Sequence, residues 1–347
     1  MTAVGMPVDT RLTSRRRRFC KPVIPTKVQC AETAYSARMR RRLVLAVSAS
    51  LAVAILRPAT APAEALPVEE VAPGAYLYRA PHEEATADNL GAIGNLGFIV
   101  GADAVAVIDT GGSRRAGDRL REAIRAVTDR PVRFVVNTHV HPDHILGNAA
   151  FAGDRPEFVG HRNLARAMAA RGEHYLRRLR EEIGPAAEGT TLIPPSRDVT
   201  DRLEIDLGDR RLLLTAHRAA HTDTDLSVFD TASGVLWAGD LLFVDRIPVV
   251  DGSLKGWLRE TDALHESDAS LLVPGHGPPV RPAGAATDAQ RRYLRGLLTE
   301  VRVLIADGGT MEQAVEAVGR GERGHWRLFD AYHPRNVVTA YAELEWE

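Results

Sequence analysis

The chain is most constrained by residues 137–144, which read Asn-Thr-His-Val-His-Pro-Asp-His. Three histidines and one aspartate within six residues are four potential metal ligands. The preceding segment 131–136 is apolar and rich in β-branched residues, so it predicts a short buried strand. The ligands are therefore expected on a loop at the carboxyl end of that strand, where metal binding explains them better than a surface or core role.

The spacing within this run indicates more than one metal ion. Side chains alternate in extended backbone, so His139, His141 and Asp143 are predicted to project to one side. His144 follows Asp143 directly and needs a turn to face a second point. Two metal ions that lie close together suit this pattern better than a single ion.

Ligand-type residues also adjoin apolar strands later in the chain. They are His221, Asp240 and His276. Their irregular spacing predicts a site assembled in three dimensions rather than a zinc finger. Asp109 ends another apolar strand and lies outside the motif, so it is predicted to orient a ligand rather than to bind metal.

The order of the predicted elements favours a layered α/β fold. Strands are predicted at 74–79, 94–101, 104–109, 131–136, 203–207, 211–215, 227–230, 234–238 and 271–278. Helices are predicted at 115–127, 161–183 and 286–318, and residues 185–199 are predicted to form a loop. Within the long helix, His174 is expected to be solvated.

The N-terminal region has the features of an export signal. Residues 39–65 combine a basic start, an apolar run of about 14 residues and a small-x-small site, which is typical of a secretory signal peptide. The run is short for a membrane span, and an uncleaved anchor is the alternative. Residues 1–38 are predicted to be either a non-native segment before a true start at Met39 or an extended signal region. The expected mature domain is 66–347, periplasmic or secreted and without a membrane segment.

Removal of residues 1–65 changes the charge of the protein. That segment holds 12 of the 44 basic residues and 3 of the 45 acidic ones, which leaves 32 against 42 and a net charge of −10. Such a body does not favour nucleic acid as a partner. Both cysteines, Cys20 and Cys30, are also lost, so the mature form can have neither a disulfide nor a thiolate ligand.

Several motifs, in this order, resemble the metallo-beta-lactamase superfamily. They are the His-x-His-x-Asp-His run, the single His before Thr222, Gly239-Asp240 and Pro274-Gly275-His276-Gly277. The resemblance covers roughly residues 66–285. It implies an αββα sandwich, in which two mixed β-sheets are flanked by helices.

The resemblance also implies a role for each candidate ligand. His139, His141 and His221 would hold a first zinc ion. Asp143, His144 and His276 would hold a second one, and Asp240 would bridge the pair.

The chemistry of these side chains fits that assignment. Imidazole and carboxylate are suitable ligands for Zn²⁺, and a catalytic site keeps an open position. Two close cations lower the pKa of a bridging water, so hydroxide can attack near neutral pH. Asp143 is predicted to accept a proton from that water, which makes Asp143 and Asp240 the predicted catalytic residues.

The sequence narrows the choice within the superfamily. β-Lactamases with a cysteine ligand are excluded, and those with a histidine in its place usually lack the bridging carboxylate that Asp240 supplies. Flavodiiron oxygen reductases carry Glu where His141 stands, and no added nucleic-acid-binding domain is evident. Glyoxalase II, lactonases and related periplasmic hydrolases remain.

The C-terminal half is similar to the quinoprotein relay system zinc metallohydrolases. The similar segments are 237–243, 246–253, 256–258, 332–336 and 342–347. We therefore expect an exported hydrolase with two zinc ions that acts on an ester, thioester, lactone or related bond of a small molecule. Association with a quinoprotein dehydrogenase system is a further expectation. The alternatives are a metal-bound accessory or relay protein that binds a periplasmic redox partner, and a β-lactamase-like activity.

Three residues outside the ligand set are candidates for the substrate pocket. Arg246 and Asp251 lie in the loop predicted after Asp240, and His333 lies in the C-terminal segment. A loop salt bridge or a helix cap would explain each of them equally well.

Overall fold

The computed structural model describes residues 64–347. The segment 1–38, nearly all of the predicted signal peptide and both cysteines lie outside the described residues. Within residues 64–347, no helix combines the length and the apolar character that crossing a membrane requires.

The first β-sheet has seven strands that follow each other in space as they do in the chain. They are β1 (Glu69–Ala72), β2 (Ala75–Tyr78), β3 (Leu96–Val100), β4 (Val105–Ile108), β5 (Val132–Val136), β6 (Glu157–His161) and β7 (Arg197–Val199). β1 to β4 pair antiparallel, whereas β4 to β7 pair in parallel. The carboxyl ends of β4, β5 and β6 therefore meet at one edge of a mixed sheet.

The second β-sheet has five strands and is also mixed. They are β8 (Arg202–Asp206), β9 (Arg211–Ala216), β10 (Leu226–Asp230), β11 (Val235–Phe243) and β12 (Leu271–His276), in the spatial order β12-β11-β10-β9-β8. β11 and β12 are parallel, and the other neighbours are antiparallel. The carboxyl ends of β11 and β12 consequently lie side by side.

Helices cover the outer faces of both sheets. They are α1 (Arg114–Val127), α2 (Pro142–Ile145), α3 (Leu164–Ile183), α4 (Leu254–His265), α5 (Ala285–Ala306), α6 (Met311–Ala317) and α7 (Phe329–Leu344). Short 3₁₀ turns occupy Asn148–Ala150, Ala152–Asp154, Gly184–Ala187 and Arg320–Glu322.

Apolar side chains hold these layers together. Val136 and Trp237 belong to a buried cluster between the two sheets. Leu120 of α1 packs against the outer face of the first sheet, and Trp257 of α4 and Leu294 of α5 pack against the second. Burial of each such side chain contributes about 1.5–3 kcal/mol. This helix–sheet–sheet–helix order confirms the predicted αββα sandwich.

Several predicted element boundaries are wrong, each for a local reason. The helix predicted over 286–318 is interrupted after α5, because Gly308 has a left-handed φ of 76° and Thr310 caps α6 with its side chain. β1, β6 and β7 were not predicted, since segments of three to five residues carry little periodicity. α7 was also missed, as it contains Pro334, which normally interrupts helices. Arg246 and Asp251 lie in the loop predicted after Asp240, but α4, which follows that loop and is capped by Ser253, was not predicted.

Candidate metal centre

The structure brings all seven predicted ligands together where the two sheets meet. One group, with a ligand atom from each residue within 4.8 Å of the others, contains His139, His141, His221 and Asp240, and a second contains Asp143, His144 and His276. Hereafter these seven residues are the metal cluster. Four of them follow β5 in the first sheet, and the other three come from the second sheet. The roles that the sequence assigns to them remain predictions.

One geometric expectation within the motif is wrong. Asp143 does not continue the alternation of His139 and His141, because the backbone turns helical at Pro142 and forms α2. Proline at the first helical position favours this turn, since its fixed φ suits a helix. The side chain of Asp143 therefore joins the same ligand group as His144. Strand alternation had predicted that only His144 would face this second point.

The outer nitrogen of every histidine in the metal cluster contacts an oxygen. The contacts are His139 Nδ1 to Thr138 Oγ1 (3.0 Å), His141 Nε2 to Asp251 Oδ2 (3.0 Å), His144 Nδ1 to Asp109 Oδ2 (2.8 Å), His221 Nδ1 to the Val249 carbonyl (2.8 Å) and His276 Nδ1 to the Ile93 carbonyl (2.9 Å). Carboxylates and carbonyls only accept hydrogen bonds, so the outer nitrogens that face them must donate. In a neutral ring this fixes the tautomer and leaves the inner nitrogen with a free lone pair.

The inner atoms of the metal cluster lack the partners that buried polar atoms normally have. His139 Nε2, His144 Nε2 and Asp240 Oδ1 are buried without a hydrogen-bond partner. His141 Nδ1 and His221 Nε2 lie 2.9 Å apart, yet both present lone pairs when their outer nitrogens donate. Such an arrangement is costly unless a cation lies between the acceptors. The donor set therefore fits metal ions with nitrogen and oxygen ligands.

The carboxylate of Asp240 faces both groups of ligands. Its Oδ2 lies 3.5 Å from His139 Nε2 and 3.3 Å from His221 Nε2, while its Oδ1 lies 3.3 Å from His144 Nε2. Its Oδ2 is also 3.5 Å from His276 Nε2. This position fits the bridging role that the sequence resemblance implies.

Burial and neighbouring charge together set the protonation of the metal cluster. Burial lowers the pKa of His139 and lowers that of His221 to about 3, so both imidazoles are neutral near pH 7. Burial works against ionisation of Asp240, but His276 and His144 outweigh it and hold the pKa of the carboxyl well below its usual range. Burial also opposes protonation of His144, yet the carboxylates of Asp143, Asp240 and Asp109 raise its pKa. The metal-free cluster thus keeps a proton on His144 that metal must displace.

Two glycines let the backbone approach the ligand side chains closely. A Cβ atom at Gly275 would lie 1.8 Å from Asp240 Oδ1, and one at Gly94 would lie 2.8 Å from His144 Nε2 and 3.1 Å from Asp143 Oδ2. Any larger residue would therefore displace a ligand. The close approach of glycine backbone to ligand atoms is a second feature that fits a metal site.

Asp109 orients ligands of the metal cluster through hydrogen bonds, the role that the sequence predicted. Its Oδ2 accepts hydrogen bonds from His144 Nδ1 and from Thr138 Oγ1 (2.7 Å), and its Oδ1 accepts from the Thr138 backbone amide (2.8 Å). Because the Thr138 hydroxyl donates to Asp109, its oxygen accepts from His139 Nδ1. Asp109 has a left-handed φ of 57°, a conformation that Asp and Asn tolerate better than most residues. One carboxylate thus orients ligands of both groups.

A cavity of about 690 Å³ opens above the metal cluster. One wall consists of Arg171, Tyr175 and Arg178 from α3, and the opposite wall consists of Tyr332 and Arg335 from α7. These five residues are hereafter the cleft wall. The cavity has the size expected of a small-molecule site.

Two of the three predicted pocket residues line the cavity, and the third does not. Arg246 and Asp251 both line the cavity. His333 does not line it, because its ring is buried beneath α7, with Nδ1 3.0 Å from the Tyr293 hydroxyl and Nε2 2.9 Å from the Val318 carbonyl. His174 is exposed as predicted, at the rim of the cavity.

Sequence reasoning missed the supporting residues around the ligands. Thr138 could have been found, since a hydroxyl directly before the first histidine of the motif can reach both its ring and a neighbouring strand. Arg171, Tyr175 and Tyr332 carried no such signal, because they lie far from the motif and reach the cavity only through the packing of α3 and α7.

Comparisons with known proteins agree with this geometry. Residues 91–276, more than half of the chain, match the family described as "Metallo-beta-lactamase superfamily". The linear primary-alkylsulfatase of Pseudomonas sp. is 23% identical over 219 residues, which are 53% of this chain and 41% of that protein. A Bacillus subtilis protein named "Probable metallo-hydrolase YqjP" is 23% identical over 239 residues, 60% of this chain and 75% of that protein.

A solved structure shows the same fold. The stereoselective inverting sec-alkylsulfatase from Pseudomonas sp. aligns with a TM-score of 0.61 at 18% identity, covering 79% of this chain and 49% of that one. The chain therefore spans less than half the length of the two alkylsulfatases that it resembles. The family match confirms the predicted superfamily and supports the predicted class, a metal-dependent hydrolase.

Proposed function

Because this chain belongs to the metallo-beta-lactamase superfamily, we propose that it is a hydrolase that binds two zinc ions and cleaves an ester, thioester, lactone or related bond of a small molecule. The observation that carries the proposal is the arrangement of the metal cluster. Five imidazoles have their outer nitrogens tied to oxygen atoms, and their inner nitrogens surround the single carboxylate of Asp240. Seven ligands are more than one four-coordinate zinc ion can use.

The proposed roles of the residues follow from their positions. When bound, two zinc ions would polarise the scissile bond and lower the pKa of the attacking water. His139, His141 and His221 would hold the first ion, Asp143, His144 and His276 would hold the second, and Asp240 would contact both. Asp143 lies at the cavity, with Oδ2 3.4 Å from His276 Nε2. It is therefore the carboxylate best placed to take up a proton from the attacking water.

The type of bond is inferred from the superfamily and from named relatives. An alkylsulfatase hydrolyses a sulfate ester, by its name, which supports an ester-type bond in the substrate of this chain. The alignment covers only 41% of that enzyme, so its substrate is not carried over. A β-lactamase-like activity is the alternative that a substrate panel can separate.

Export and a quinoprotein partner are also part of the proposal. The signal-like residues 39–65 and the C-terminal segments similar to quinoprotein relay system metallohydrolases support them. A relay protein that binds a redox partner would need no turnover, whereas a metal cluster that opens into a cavity of about 690 Å³ favours catalysis. Amino-terminal sequencing of the exported product would test the signal peptide, since retention of residues 40–60 in a soluble cytoplasmic product contradicts it.

The central experiment measures metal and turnover together. Purified protein is analysed for zinc by elemental analysis and assayed against carboxylic ester, thioester, lactone, sulfate ester and β-lactam substrates. We expect about two zinc ions per chain and hydrolysis of at least one ester-type substrate. A single ion in excess zinc, with His144 and His276 still reactive to modification, would overturn the dinuclear proposal. Two ions with no turnover of any substrate would favour the relay alternative.

A further inference from the structure

Arg246 is a buried arginine at the cavity above the metal cluster. Its side chain lines the cavity, and the residue is only 3% exposed. Its Nε atom is buried without a hydrogen-bond partner. Charged side chains are almost never buried unless they are paired, so this guanidinium requires an explanation.

The contacts of Arg246 are long and include no carboxylate. One terminal nitrogen lies 3.4 Å from the Glu83 carbonyl and 3.4 Å from His276 Nδ1, and the other lies 3.3 Å from the Tyr332 hydroxyl. His276 Nδ1 donates to the Ile93 carbonyl, so it cannot accept from Arg246 as well. The guanidinium also stacks beside the Tyr332 ring, 5.5 Å from its centroid. These neighbours position the cation without neutralising it.

The other arginines at the cavity differ in this respect. Arg171 and Arg335 both pair with the carboxylate of Asp251, and Arg178 pairs with Glu182. Within the described residues, Arg246 is the one arginine at the cavity for which no ion pair is found. Its partner is therefore expected to arrive from outside the chain.

The net charge of a metal-loaded site also favours an anionic partner for Arg246. Two divalent cations would balance the carboxylates of Asp109, Asp143 and Asp240 together with one hydroxide. Arg246 then adds one positive charge, Asp251 with its two arginines adds another, and the carboxylate of Glu84, which also lines the cavity, removes one. An anionic group in the substrate would neutralise the excess, and the low dielectric of a buried site strengthens that interaction.

Resting on the proposed hydrolase function, we propose that Arg246, held in position by Tyr332, forms a subsite for an oxyanion of the substrate, a carboxylate or a sulfate. The guanidinium offers paired N–H donors suited to either group. The Tyr332 hydroxyl accepts from Arg246 (3.3 Å) and donates to Glu84 Oε2 (2.9 Å), so it positions the guanidinium rather than binding the anion itself. Tyr332 comes from α7, outside the matched family region 91–276. The position of Arg246, which lies within that region, would thus depend on a segment beyond it. The preferred substrate then carries an anionic group beside the bond that is cleaved.

Matched esters test the subsite. The zinc-loaded full chain is assayed with para-nitrophenyl hydrogen glutarate, which carries a free carboxylate, and with para-nitrophenyl pentanoate, its neutral counterpart of equal length. In Arg246→Gln we expect the KM for the anionic ester to rise about 10–100-fold, the effect of losing a charge-assisted hydrogen bond, with little change for the neutral ester. Arg246→Lys should recover part of the loss, and Tyr332→Phe should give a smaller loss. Arg166→Gln is the matched control, because that arginine is exposed, pairs with Asp223 and does not line the cavity.

Two further readouts separate this subsite from a structural role and from the hydrolase proposal. Zinc content should be unchanged in Arg246→Gln, and a loss of zinc or an equal loss for both esters would overturn the subsite. Calorimetric titration with glutarate and with inorganic sulfate should show binding that depends on Arg246 and should indicate which oxyanion is preferred. Titration tests the subsite even when neither ester is hydrolysed. A lack of hydrolysis would count against the hydrolase proposal but not against the subsite. Equal binding of both anions to wild type and to Arg246→Gln would overturn the subsite.

Discussion

The metal cluster and the cleft wall face the same cavity but are built in opposite ways. In the metal cluster the side chains are mostly buried, and each outer histidine nitrogen has one defined partner. In the cleft wall the arginines are largely exposed, with side-chain exposures of 36% for Arg171, 57% for Arg178 and 59% for Arg335. Surface ion pairs of this kind contribute little to stability.

The difference separates chemistry from selectivity. Substitutions in the metal cluster should alter metal retention and turnover of every substrate, because no ligand has a substitute nearby. Substitutions in the cleft wall should alter which substrate is preferred, because its side chains can rearrange at low cost. The predictions below test this division, from the largest expected effect to the smallest.

The largest effect is expected for Asp240→Asn. An amide cannot neutralise two cations, so the second metal should be lost or misplaced and activity should fall by about three or more orders of magnitude. The fold should be retained, because the strands around Asp240 are packed by the apolar core. Activity at saturating zinc and metal content are measured in parallel. Normal turnover with two bound zinc ions would show that Asp240 does not bridge.

A smaller effect is expected for Asp109→Asn. Asn tolerates the left-handed backbone at this position, so the change removes charge from the contacts to Thr138 and His144 without straining the chain. Loss of such an orienting group typically costs about 10–100-fold in metal affinity or activity. Zinc affinity and turnover of one ester are the measurements. An effect as large as that of Asp240→Asn would mean that Asp109 binds metal itself.

Zinc affinity should rise with pH. The raised pKa of His144 means that metal must displace its proton, so affinity should increase about tenfold per pH unit below that pKa. By the same linkage, the proton stabilises the metal-free fold below the unfolded pKa of histidine, and this stability is lost as the pH rises through the raised value. Titration calorimetry in buffers of different ionisation enthalpy would count the released protons. Uptake of protons on zinc binding would contradict the prediction.

The smallest effect is expected for substitution of Asp251, which contacts both the metal cluster and the cleft wall. Its carboxylate accepts from His141 Nε2 and pairs with Arg171 and Arg335. Asp251→Asn should lower zinc affinity about tenfold or less, since His141 remains fixed by its own position on the chain. Arg335→Gln is the matched control and should leave zinc affinity unchanged. A comparable loss of zinc in that control would show that the cleft wall and the metal cluster are not separable.

The sequence predicted the metal cluster better than its surroundings for a physical reason. His139, His141 and their neighbours are adjacent in the chain, and isolated ligands such as His276 lie at strand ends, where glycines mark close approaches. Tyr332 and Arg171 reach the cavity through helix packing that no local pattern encodes. Local patterns predicted a layered α/β fold, and the family resemblance implied the αββα sandwich, whereas α4 and α7 were not predicted. Asp143 was misplaced because the effect of Pro142 on the next residue outweighed strand alternation.

The origin of the seven ligands in both sheets has a consequence for the fold itself. Bound metal would cross-link the two layers, closing a loop from His139 through the second sheet to His276. The described residues contain no cysteine, so the metal pair would take the part that a disulfide plays in many secreted proteins. Unlike a disulfide, this cross-link responds to free metal, and its stabilisation grows to about 4 kcal/mol when metal exceeds its dissociation constant a thousandfold. A chelator would therefore loosen the contact between the sheets as well as stop the chemistry.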